Sequence, residues 1–137
     1  MASGEIAQTI RQKLSDALES SSQGDVVEAL TLYDEVLDDN PSNPEALAYR
    51  GWLLVRTGET DLVREGLGNI EAAVISDPEY ADARVFGASA QLALGNPEAA
   101  QEHLDAFDAL PATPAIMRDL VDGRGLRERI ATDLAGS

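Results

Sequence analysis

The sequence predicts an all-α chain: a right-handed α-α superhelix of about three helical hairpins plus C-terminal capping helices. Three observations lead there. Long stretches are rich in Ala, Leu and Glu, which favour helix over strand. Gly, Asn and Pro cut the chain into pieces of helical length. The cuts recur, Gly24 to Gly58 spanning 34 residues and Gly58 to Gly95 spanning 37, and fixed periods of this size mark repeat architecture.

Eight helices follow, in one domain over residues 1–137, with hairpins at 5–41, 43–78 and 79–111 and capping helices within 113–135. The first helix, Glu5 to Ser21, carries an apolar ladder of Ile6, Ile10, Leu14, Ala17 and Leu18, its register shifted by about one residue from the later repeats. The second holds Ala29-x3-Tyr33 and stops at Pro41. Asn43 caps the third helix, which Pro44 opens and which runs to Thr57. Its stripe of Leu47, Gly51 and Leu54 faces the hairpin partner, Gly51 allowing close approach.

The fourth helix repeats the second, with Gly66-x3-Ile70 and Pro78. Gly24 to Ala29 and Gly95 to Ala100 are each five residues, whereas Gly58 to Gly66 is eight. Three residues are therefore inserted between Thr57 and Glu65, at the hairpin turn or the start of the following helix. In the fifth helix Ala88 is the small residue, and Asn96 caps the sixth, which has Pro97 in its first turn, then Ala100-x3-Leu104 and Pro111. Gly58 and Gly95 stand where a helix ends in a left-handed turn. The tail has two stripes, Ile116, Met117, Leu120, Val121 and Leu126, Ile130, Leu134, on capping helices Thr113 to Asp122 and Gly125 to Leu134.

A formal charge of −15 disfavours partners that present phosphates, nucleic acid and anionic lipid among them. With no cysteine, disulfides, thiol catalysis and cysteine zinc sites are excluded. No apolar run reaches the length of a membrane span, and Met1 to Gly4 lead into a polar helix rather than a signal sequence, so the chain as given reads as soluble, its compartment undetermined. An anchor upstream of Glu5 would not be visible in this sequence.

Phosphate-loop, dinucleotide-binding, nucleophile-elbow and zinc-protease motifs are all absent, and no enzyme activity, cofactor or metal is implied. His103, the single histidine, sits among Gln101, Glu102 and Asp105 and reads as a solvated surface residue with no nucleophile in register. Asp34, Glu35, Asp38 and Asp39 lack the glycine-turn spacing of a calcium loop and read as a solvated helix end.

From about Gly24 to Pro111 the chain resembles the tetratricopeptide repeat family, on the first-helix spacing of Leu47, Arg50, Gly51 and Leu54 and the second-helix signatures at Ala29, Gly66 and Ala100. Arg84, Gly87 and Gln91 depart from the larger family residues. The resemblance implies a concave groove lined by the first helices that takes a peptide or helix of a partner protein. By register its lining is Glu45, Tyr49, Trp52, Val55 and Arg56, with Val85, Phe86, Ser89 and Leu92 from the following repeat, and an apolar or mildly basic segment is the expected occupant. Three of the chain's six aromatic residues fall on this face, as a binding hot spot would show. Basic clamp residues for a terminal carboxylate are missing, since Glu45, Tyr49, Asp82 and Phe86 take those places.

Two other readings of the same face stay open: terminal helices folded over the groove, or a structural homo-oligomerisation module, a homodimer with no external peptide. The run Asn43 to Trp52 and the later Asp77 to Ala83 look like the tetratricopeptide domains of membrane-anchored bacterial proteins related to cytochrome c biogenesis factors. That narrower resemblance implies an assembly factor that holds apocytochrome or a partner subunit.

Overall fold

The computed structural model describes residues 2–136, with side chains from residue 4 onward; Met1 and Ser137 of the expected span lie outside the described residues. Eight α-helices and no strand occur among the described residues. They are α1 (Ala2–Ser22), α2 (Val26–Asp39), α3 (Pro44–Val55), α4 (Thr60–Ser76), α5 (Ala81–Ala93), α6 (Pro97–Asp108), α7 (Ala115–Gly123) and α8 (Leu126–Ala135).

Consecutive helices pair as α1/α2, α3/α4 and α5/α6, and each pair packs against the next through its second helix. The first helices touch in series, α1 to α3 and α3 to α5, while no comparable contact links α2, α4 and α6. The first helices therefore form the inner, concave side of a helical repeat. The core is correspondingly layered. Leu14, Ala17, Ala29, Tyr33, Val36, Ala46 and Leu53 form one layer. A second, with Leu47, Val55, Val63, Ile70 and Phe86, joins α3, α4 and α5. A third, with Val85, Leu92, Leu104, Phe107, Val121 and Ile130, joins α5 and α6 to the C-terminal helices.

The tightest point is the crossing of α3 and α4. A Cβ on Gly51 would lie 2.4 Å from the Gly66 carbonyl oxygen, and one on Gly66 would lie 2.4 Å from that of Gly51. Neither helix tolerates a side chain there without moving. Gly24, Gly58 and Gly95 hold φ of +84°, +75° and +79°, the left-handed region that ends each inner helix. Ala17, Gly51 and Ala88 each lie seven residues before one of these glycines, and all are buried. The first helix is thus in register with the others, not shifted.

The same glycines locate the insertion. Each is two residues before the next helix, so the turns are alike, but Gly66 is the seventh residue of α4 whereas Ala29 and Ala100 are the fourth of theirs. The three extra residues extend the first turn of α4. Asn43 caps α3 as expected, its side chain accepting from the Ala46 N–H at 2.9 Å. Asp25 does the same for α2 through Glu28 N–H at 3.1 Å. Asn96 is a correction: it stands at the cap of α6 but makes no side-chain cap bond, its amide donating instead to Gln91 Oε1 at 3.1 Å.

Three apolar positions of the expected stripes, Ile6, Leu18 and Ile116, are exposed. Each lies on a terminal helix that lacks a neighbour on that side. His103 is also a correction. It is half-buried, its imidazole carbons fill the place of the side chain that Gly87 lacks, with Cε1 2.8 Å from a Cβ built there, and its Nδ1 is buried without a hydrogen bond. Burial first and the Arg84 charge second hold its pKa below the usual 6.5, with Glu102 pulling the other way.

Two outcomes follow for stability. Gly66→Ala should destabilise the chain by about 1–3 kcal/mol through overpacking, whereas Gly68→Ala, on the same helix with open space around it, should stabilise it by about 0.5–1 kcal/mol. Thermal unfolding followed by circular dichroism separates the two. For His103 the unfolded chain holds the proton more readily than the folded one. The stability of keeping the imidazole neutral is therefore present above pH 6.5 and lost as pH falls through the lowered value. The gap in melting temperature between wild type and His103→Gln should narrow on going from about pH 7.5 to about pH 5, the acidic surface common to both cancelling in the difference.

Candidate binding face

The inner helix α3 sends Tyr49 and Trp52 to the same ring of α5. Trp52 stacks on Phe86 with centroids 4.6 Å apart and planes at 7°. Tyr49 meets Phe86 edge-on, at 5.0 Å and 85°. Phe86 itself is only 2% exposed, so it is the floor of this face and Tyr49 and Trp52, both half-buried, are its surface.

The C-terminal segment closes one end of that face. Helix α7 packs on α5, while α8 packs on α6. The turn after α7 sets the guanidinium of Arg124 over the Trp52 ring, 5.2 Å from its centroid, a cation–π contact. The structure therefore lies between the open and the filled groove: α7 covers the α5 side, and Trp52, with Phe86 on one face and Arg124 over the other, stays half-buried.

This cover decides the fate of several expected groove residues. Val85 and Leu92 are corrections, buried in the third layer with Met117, Val121, Leu126 and Ile130 of α7 and α8. Val55 is buried in the second layer. Ser89 is half-buried, and Arg56 is exposed but lies beside Ser21, Gly24, Val26 and Leu53 at the α1–α2 turn rather than with Tyr49. Of the nine, Glu45, Tyr49, Trp52 and Phe86 are brought together.

Around Glu45, Tyr49 and Asp82 the structure adds Tyr33 and Tyr80. The Tyr49 hydroxyl donates to Asp82 Oδ2 in a short hydrogen bond. Glu45 is half-buried, and burial first, the Asp82 charge second, hold its carboxyl above the usual carboxylate range. Tyr33 comes from α2 and Tyr80 from the cap of α5. Burial pushes all three phenols upward, and the charge of Glu45 or Asp82 adds to it. Tyr33 belongs to the Ala29-x3-Tyr33 packing signature, and its hydroxyl, where the repeat pattern takes Phe, is the signal that sets it apart. The acidic end of α2 is tied elsewhere, Asp34 to Arg50 at 2.8 Å and Glu35 to Lys13 at 3.2 Å.

Among known proteins, residues 17–62 match the tetratricopeptide repeat family. The chain is 37% identical over 82 residues to the TPR repeat-containing thioredoxin TTL4 of Arabidopsis thaliana, a match that covers 60% of this chain and 12% of that protein. It superposes on a mutant O-GlcNAc transferase of Thermobaculum terrenum with TM-score 0.71 and 29% identity, covering 77% of this chain and 20% of that one. The first TPR domain of Spaghetti (RPAP3), bound to the HSP90 peptide SRMEEVD, superposes with TM-score 0.77 at 21% identity, over 93% and 97% of the two chains. The TPR2B domain of yeast Sti1, in its Hsp70 complex, gives 0.75 at 18% over 95% and 99%. The last two likenesses are of fold. The chain spans about an eighth of the curated relative it matches.

Trp52 is the single tryptophan and so reports on its own cover. Arg124→Ala should shift its fluorescence emission to the red and cost about 0.5–1 kcal/mol, the range of exposed cation–π contacts. An unshifted emission maximum would mean that Arg124 does not shield the ring in solution.

Proposed function

From the premise that this chain is a tetratricopeptide repeat protein, we propose that it is a protein-interaction scaffold whose concave face takes a peptide or helix of a partner. The observation that carries the proposal is the half-buried pair Tyr49 and Trp52, held on the Phe86 floor by inner helices beside Glu45 and Asp82. Rigid aromatics that are only partly buried supply apolar contact at low entropic cost. The neighbouring carboxylates favour a partner segment that is apolar and mildly basic.

The same carboxylates argue against an acidic ligand such as the HSP90 peptide SRMEEVD found on the Spaghetti domain. Like charge on like charge across an interface costs several kcal/mol.

The test is recovery of partners from native extract by the wild-type chain and by folded Trp52→Ala and Glu45→Arg variants. Both substitutions should deplete the same proteins by about tenfold, as loss of a central interface residue does. Equal recovery by all three chains would end the groove reading. A dimer that Trp52→Ala turns into a monomer, measured by light scattering, would favour homo-oligomerisation instead. The narrower role of an assembly factor holding apocytochrome or a partner subunit rests on the sequence resemblance, and such proteins among those recovered would support it.

A further inference from the structure

A cleft lies where the turn between α1 and α2 meets the end of α3, apart from the Tyr49–Trp52 face. Ser21, Gly24 and Val26 line it on one side, Leu53, Arg56 and Thr57 on the other, around a volume of about 200 Å³. Leu53 is 5% exposed and Val26 41%, so the cleft has an apolar floor and an apolar wall that water still reaches. The apolar surface continues past its edge. Leu18, one helical turn before Ser21 on α1, and Val27, next to Val26, are both exposed.

Arg56 gives this place a sign. In a chain with 25 acidic and 10 basic residues, its side chain makes no ion pair or hydrogen bond among the described residues. The acids nearest the lining in sequence are Asp25 and Glu59. Asp25 caps α2 through the Glu28 N–H at 3.1 Å, and Glu59 stands at the cap of α4. The Thr57 hydroxyl is already used, donating to the Leu54 carbonyl at 2.7 Å and accepting from the Glu59 N–H at 3.2 Å. Packing does not require the arginine either. The position two residues before the left-handed glycine holds Ser22 in the first hairpin, Arg56 in the second and Ala93 in the third, and all three turns form.

At about 200 Å³ the cleft falls below the roughly 300–1,000 Å³ of sites that enclose a small molecule. It is the size for one side chain. We propose that it is a second docking site, which takes an aliphatic side chain from an amphipathic helix of a partner protein and sets a carboxylate of that helix, one turn away, on Arg56. A helix suits the surface because residues four apart share a side, so a further apolar residue of the same face covers Leu18 or Val26. The cleft supplies the contact. Arg56 supplies the choice, since an exposed ion pair contributes little by itself but a lysine in its place would meet like charge. This site does not rest on the groove reading, and it selects the opposite charge.

The full chain should be titrated, at constant ionic strength, with an alanine-rich helical peptide that carries leucine and glutamate four residues apart, following the methyl signals of Leu18, Val26 and Leu53 by NMR. Two control peptides replace the leucine with alanine and the glutamate with lysine. The first peptide should give saturable shifts at all three residues. The alanine control should bind about tenfold more weakly, for the buried methylene groups it lacks, and the lysine control about fivefold. Arg56→Gln, an exposed substitution, should abolish the preference for glutamate over lysine, while Trp52→Ala leaves it intact. Equal binding of the glutamate and lysine peptides to the wild-type chain, a preference that survives Arg56→Gln, or the absence of saturable shifts would each overturn the site. So would loss of the shifts in Trp52→Ala, which would assign them to the groove. Methyl signals that move on dilution of the chain alone would show a second copy covering this edge in place of a partner helix.

Discussion

The backbones of α3 and α4 cross so closely at Gly51 and Gly66 that each carbonyl oxygen occupies the place of the other's missing methyl group. Glycine inside a helix costs about 1 kcal/mol relative to alanine, so two of them at one crossing are retained against helix propensity. What they allow is contact at backbone distance, which brings the long side chains on either side into the second core layer. With α3 held that tightly on its back, its other face is fixed in direction as well. Tyr49 and Trp52 then meet Phe86 at defined angles, and Glu45, a turn earlier, stands opposite Asp82.

Layering carries this constraint along the chain. The second layer shares Leu37 and Tyr49 with the first and Leu120 with the third, and the inner helices α3 and α5 belong to two layers each. The array is therefore as rigid as its pairwise crossings. The crossing of α5 and α6 solves the same spacing problem differently, with the imidazole of His103 against Gly87 and a buried Nδ1 left unsatisfied. At the C-terminus the hairpin rule breaks: α8, not α7, rests on α6. The segment from Leu110 to Pro114 delivers α7 onto the inner helix α5, and that is why Arg124 reaches Trp52.

Periodicity made the hairpins, the left-handed glycines and the Gly51–Gly66 contact legible, because each is a local rule repeated at a fixed interval. The same rule misplaced Val85 and Leu92. They match Ala48 and Val55 of α3 by register, but the helices that bury them arrive through a link with no period to read. Asn96 illustrates a finer limit: a cap residue before Pro97 is a sound local expectation, and a glutamine five residues earlier wins its side chain. Of the binding face, the aromatic pair was visible as helical spacing. Glu45 and Asp82 are placed there by register as well, whereas the part played by Tyr33 and Tyr80, which come from other elements, is not legible from spacing.

Charge gives the polar half its meaning. A chain of net charge −15 pays self-repulsion for every carboxylate it withdraws from water, and most of its acids avoid this by lying on exposed faces or pairing with arginine, as Asp108 does with Arg127 at 2.7 Å. Glu45 does neither. It is half-buried and feels the charge of Asp82 rather than that of a base. Burial of this kind favours the neutral, protonated carboxyl over the charged one, and the Asp82 charge adds to it. The aromatic face supplies area and the carboxylates supply sign, so a partner segment with apolar residues but no basic one would satisfy only half of what this surface presents.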